Sequence, residues 1–102
     1  MNVANLQLEG LLMAVASINN LLVQQKLLSP DDIDIALRKA EAGLTGDDHL
    51  CGDMSPANRD AVCFPIRLLR IANNMQSEAG VPPFSDLTRT VGQTKERYND
   101  QM

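Results

Sequence analysis

Residues 4–30 read ANLQLEGLLMAVASINNLLVQQKLLSP, and their spacing commits the chain to helices. Leu8, Leu11, Val15, Ile18 and Leu22 recur at three- and four-residue steps, the repeat of one stripe on an α-helix. Leu12, Leu21 and Leu28 widen that stripe. Leu6, Met13, Val23 and Leu27 fall outside it, so apolar side chains occur almost all round a helix expected over 4–28. Its polar cover is uncharged: Gln7, Ser17, Asn19, Asn20 and Gln24. A surface helix ordinarily carries more Glu and Lys on its outer face, so this one reads as covered on more than one side.

Outward from this stretch, Ser29-Pro30 restarts the chain. Ser29 suits an N-cap, Pro30 the first helical position, and Asp31, Asp32 and Asp34 the positive end of a helix dipole. Asp32 occupies the acid position of a capping box. Ile33, Ala36, Leu37, Ala40 and Leu44 then form an apolar face, Asp34 and Arg38 are set to pair at i,i+4, and Gly43 reads as the stop. The short link predicts that helices one and two form an antiparallel hairpin.

Ser55-Pro56 repeats the start signal. A third helix is expected to run to Ala79, with Ala61, Pro65, Leu68, Ala72, Met75 and Ala79 as its seam and Gly80 as its end. Pro65 lacks a backbone donor and crowds the preceding turn, so this helix should be kinked or broken there. After the stiff Val81-Pro82-Pro83-Phe84 connector, Ser85 caps a short C-terminal helix, 86–99, with Leu87, Val91 and Tyr98 on its narrow apolar face. The expected architecture is therefore all-α: a four-helix bundle-like single domain over residues 1–102.

Composition agrees. The 102 residues are 44% hydrophobic, 22% charged and 3% aromatic, a globular balance in a chain with room for one core. Two cysteines are too few for a disulfide-stapled miniprotein. The longest uninterrupted apolar run, Leu11 to Ala16, is short of a bilayer span, so no membrane partner is expected. No Lys or Arg precedes the N-terminal apolar stretch, which argues against a secretory signal and for a cytoplasmic protein with reduced thiols.

The net charge is −4 and concentrated: residues 29–54 hold seven acids against Arg38 and Lys39, while residues 1–28 hold only Glu9 and Lys26. An acidic chain with three scattered aromatic residues is poorly equipped for phosphates or bases. The acids opening helix two also count against a helix-turn-helix, so no nucleic acid is expected.

Chemistry-bearing residues are sparse. The loop TGDDHLCGDM (45–54) gathers Asp47, Asp48, His49, Cys51 and Asp53. With Cys63, residues His49 and Cys51 could supply three zinc ligands, but their spacing matches no zinc signature. An EF-hand counted from Asp47 fails at its third, fifth and twelfth places. There is no glycine-rich phosphate loop, no nucleophile elbow, and one histidine in all. Cys63 is flanked at i−4 and i+4 by Arg59 and Arg67, and Arg70 continues that face. Guanidinium neighbours favour a thiolate, so a thiol- or metal-responsive regulator using Cys63, Cys51 and His49 is the alternative reading. Arg59, Arg67 and Arg70 also form a candidate anion or partner surface.

The leading expectation rests on helix one. Four helices of this size cannot cover a helix that is apolar nearly all round, which leaves either a central position or a partner chain. The expectation is a non-enzymatic oligomerisation or protein-interaction module without cofactor. It would be a homodimer or small homo-oligomer through Leu8, Leu11, Leu12, Val15, Ile18 and Leu22.

Overall fold

A computed structural model describes residues 3–46 and 55–99, the side chains of 94–99 excepted. Among the described residues there are four helices: α1 (Val3–Gln24), α2 (Pro30–Thr45), α3 (Pro56–Met75) and α4 (Phe84–Asn99). The all-α, bundle-like architecture is the one expected, and both Ser-Pro starts act as such. Ser29 has an extended backbone; its Oγ accepts the Asp32 N–H at 3.0 Å, and Asp32 Oδ2 accepts the Ser29 N–H at 3.0 Å. That reciprocal pair satisfies two amide donors a bare helix start would leave open. Ser55 Oγ accepts the Asn58 N–H at 3.2 Å and opens α3 in the same way.

The helix at the centre is α3. Each of the other three packs chiefly against it, and α1 and α2 touch one another far less than either touches α3. The two limbs of the expected hairpin are thus joined by residues 25–29 but meet through a third helix. The core consists of Leu12 and Ala16 from α1, Leu68, Leu69 and Ala72 from α3, and Leu87 and Val91 from α4, all buried. Leu68 and Leu87 have no exposed surface. Leu8, Met13, Val15, Leu37, Phe64, Ile71, Val81 and Phe84 pack round this cluster. The helix richest in apolar residues is therefore peripheral, against the expectation that it is covered on several sides.

Helix ends depart from the pattern for identifiable reasons. α1 stops at Gln24 rather than Leu28 because Lys26 adopts a left-handed backbone, φ 62. The Lys26 N–H donates to the Val23 carbonyl at 2.9 Å and the Leu27 N–H to the Leu22 carbonyl at 3.0 Å, the paired bonds of a Schellman termination. α2 passes through Gly43 and ends when the Gly46 N–H reaches the Ala42 carbonyl at 2.9 Å. α3 runs unbroken through Pro65, although Pro65 brings no N–H to the Ala61 carbonyl. It ends at Met75, four residues before Ala79, where Gln76 turns extended. Ser77 and Gly80 then exchange both backbone hydrogen bonds, at 3.0 and 2.9 Å, round a tight turn that Gly80 closes with φ 116. α4 begins at Phe84 because the Asp86 and Leu87 N–H groups both donate to the Pro83 carbonyl.

Lys26 holds a position that glycine fills more cheaply, since a left-handed backbone costs a residue with a Cβ about 1 kcal/mol. Lys26→Gly should raise stability by roughly 0.5–1 kcal/mol, the gain being trimmed by the freer unfolded chain. A urea midpoint that rises at unchanged slope is the expected result.

Candidate interaction surface

One face of α1 enters the core. Its core contact follows Leu8, Leu12 and Ala16, one residue further round the helix than the stripe that the sequence makes most conspicuous. Among the exposed positions of α1 are Ala4, Gln7, Leu11, Ala14, Ile18 and Leu21. These six positions alternate steps of three and four residues without a break, which is the seam of a helix that packs along its whole length against another. Leu11 is 62%, Ile18 58% and Leu21 57% exposed, and Val3 and Leu6 flank them at 67% and 48%. No charged side chain lies on this face. The only acid on α1, Glu9, projects from the opposite side of the helix.

This geometry separates the six residues expected at an oligomer interface. Leu12 is buried in the core, Leu8 and Val15 pack against it, and Leu22 is half-buried; Leu11 and Ile18 remain on the outward seam. Ala4, Gln7, Ala14 and Leu21 belong with them. The signal for this seam was present as an unbroken three-four repeat, masked by the leucines beside it.

At 22 residues α1 is also long and apolar enough, by length and composition, to cross a membrane, with 11% of its most apolar 18-residue window buried. The uninterrupted-run criterion missed this because polar residues are spaced along the helix. Those polar residues are engaged in part. Asn20 Nδ2 donates to Gln76 Oε1 at 3.0 Å and to the Ser77 carbonyl at 3.2 Å. Gln76 Nε2 donates to Asn73 Oδ1 at 2.6 Å and to the Asn73 carbonyl at 2.9 Å. Asn73 Nδ2 in turn donates to the Pro30 carbonyl at 2.9 Å. Three amides thus point head to tail and join α1, the end of α3 and the first turn of α2. Asn73 is 4% exposed, and among the described residues no buried side-chain nitrogen or oxygen lacks a partner.

The arginine face is turned toward α2. Arg67 Nε meets Glu41 Oε2 at 3.1 Å and its Nη1 meets Asp60 Oδ1 at 3.2 Å. Arg70 Nε meets Asp34 Oδ1 at 3.0 Å, with Glu41 at 3.7 Å from its Nη1. Asp34 also holds Arg38 at 3.0 Å, the i,i+4 pair expected from sequence. Burial works to lower the Arg67 pKa, but the hydrogen bonds to Glu41 and Asp60 together with the neighbouring negative charge hold the guanidinium above its ordinary value. Its charge and the pairing persist throughout the neutral range. Arg67 and Arg70 therefore pair with Asp34 and Glu41 of helix two and with Asp60 of their own helix, acids that occupy the place an external anion would take. Arg59 is exposed on the first turns of α3.

Cys63 is 1% exposed. The sequence places it on one face with Arg59, Arg67 and Arg70, and of these Arg67 and Arg70 pair with acids of α2. His49 and Cys51 lie outside the described residues, and among those described no three metal-capable side chains gather. Compared with known family models, with curated proteins and with solved structures, the chain shows no significant match.

Two outcomes follow. Asn73→Leu keeps the volume, strips the Pro30 carbonyl of its side-chain donor and leaves Gln76 Nε2 only the residue-73 backbone carbonyl, which should cost about 1–3 kcal/mol in chemical denaturation. Pairing it with Gln76→Leu should cost less than the two single losses together. In a Cys51→Ser background, the Cys63 thiol should resist a thiol-reactive disulfide reagent in native buffer and react fully in denaturant.

Proposed function

We propose that the chain is a non-enzymatic self-association module whose outward α1 seam is covered by a second copy. The observation that carries this reading is the continuous, uncharged three-four seam of Ala4, Gln7, Leu11, Ala14, Ile18 and Leu21, left exposed on a helix that the fold places at its edge. A lone surface helix has no need of such a repeat, and an outer face without charge is costly to leave in water. α3 already occupies the central position, so no other described helix covers that face.

The size of the seam sets the strength. α1 is about 33 Å long at 1.5 Å per residue, and a helix presents a strip ~10 Å wide to its partner. Counting both copies, such a strip falls at the small end of specific interfaces, below about 1,200 Å². Association in the micromolar range is the matching expectation.

Sedimentation equilibrium between about 5 and 200 µM tests this range. The chain should shift toward twice its 11.2 kDa mass as concentration rises. Leu11→Glu with Ile18→Glu places unpaired carboxylates in the seam and should hold the mass at one chain, with unchanged helical content because neither residue enters the core. A wild-type mass of one chain across the range would refute the reading. So would wild-type flotation with phosphatidylcholine vesicles that the double variant loses, since the face would then belong to lipid.

A further inference from the structure

Resting on that self-association, we infer that the two α1 helices pair antiparallel, about a two-fold axis midway between Ala14 and Ile18. Steps along the seam run three, four, three, four from Ala4 to Leu21, so a reversed copy matches step for step only at a few registers. In one of them Leu11 faces the partner's Leu21, Ala14 faces the partner's Ile18, and each contact recurs across the axis. Gln7 then faces the partner's Gln25, just beyond the last turn of α1. The Gln25 N–H still bonds the Leu21 carbonyl at 2.9 Å, continuing the helical pattern to that residue.

Every inner layer of this register is apolar on both sides, and a small residue always meets a large one at its centre. The uncharged glutamines close the two ends, where amides can pair with each other and with water. Sliding the copies by one heptad sets Gln7 against Ile18 and Ala4 against Leu21, burying an amide against a branched aliphatic chain. A parallel pair stacks each residue on itself. Its Ala14–Ala14 layer, held apart by Leu11 and Ile18 on either side, leaves a gap that forfeits dispersion contacts. It also aligns the two helix dipoles, whereas the antiparallel pair opposes them. α1 has no charge on the seam that could reverse this preference.

Charge exchange at one layer separates the arrangements without touching the core. Leu11→Glu and Leu21→Lys, made singly, should each leave the protein a monomer in sedimentation. The double variant Leu11→Glu/Leu21→Lys puts opposite charges together twice in the antiparallel register and should restore the dimer at low salt, with loss at 1 M salt. In a parallel pair the same two substitutions set like charges against each other, so a double variant that stays monomeric while wild type dimerises overturns the antiparallel register and leaves self-association standing. Dimers that persist in both single variants would place the contact elsewhere and overturn both readings. Circular dichroism and a thermal melt of each variant confirm that the fold is intact, as expected for residues 62% and 57% exposed.

Discussion

All three of the other helices lean on α3, so twenty residues must present chemically different surfaces to different neighbours. One side offers Leu68, Leu69 and Ala72 to Leu12 and Ala16 of α1 and to Leu87 and Val91 of α4. The other offers Arg67 and Arg70 to Asp34 and Glu41 of α2. Asn73 sits where these sides meet and ties the first turn of α2 to the end of α3. The apolar side supplies most of the driving force, because burial scales with area and is indifferent to direction. The polar side fixes which neighbour goes where, because a guanidinium or an amide accepts only a few geometries. Partly exposed ion pairs of this kind contribute little stability each, and their consequence here is placement.

How legible this was in the sequence depended on range. Local chemistry read correctly: both Ser-Pro starts, the Asp32 capping box, the Asp34–Arg38 pair, and Leu68, Ala72, Leu87 and Val91 as inward positions. Each is decided within a turn or two of helix, where spacing is the physics. Rank among helices did not read correctly. The richest apolar stripe suggested that helix one would be surrounded, yet the centre went to a helix with three arginines and a buried asparagine. Hydrophobic period says that a face is apolar and is silent on which neighbour will cover it. Arg67 with Glu41 and Asn73 with Pro30 are separated by 26 and 43 residues, and no periodicity encodes such partnerships. The helix ends missed at Gln24 and Met75 turn on single backbone conformations, a left-handed Lys26 and an extended Gln76.

The same distinction explains the candidate surface. Six residues were expected to mediate association, and the structure sorts them between inside and outside by a rotation of one residue about the helix axis. With leucine, isoleucine or valine at so many positions of α1, the sequence supports more than one apolar stripe. Docking on α3 selects the one through Leu8, Leu12 and Ala16, and the seam through Leu11 and Ile18 is left outside.

The tie between Asn20 and Gln76 spans 56 residues, and it has a bearing on synthesis. Of the four helices α1 leaves the ribosome earliest, yet the residues that cover its inner face, Leu68, Leu69 and Ala72, follow some fifty positions later. At roughly 5–20 residues per second the helix waits several seconds with both apolar faces in water. The order of the elements along the chain thus places the burial of α1 late in synthesis, once α3 has emerged.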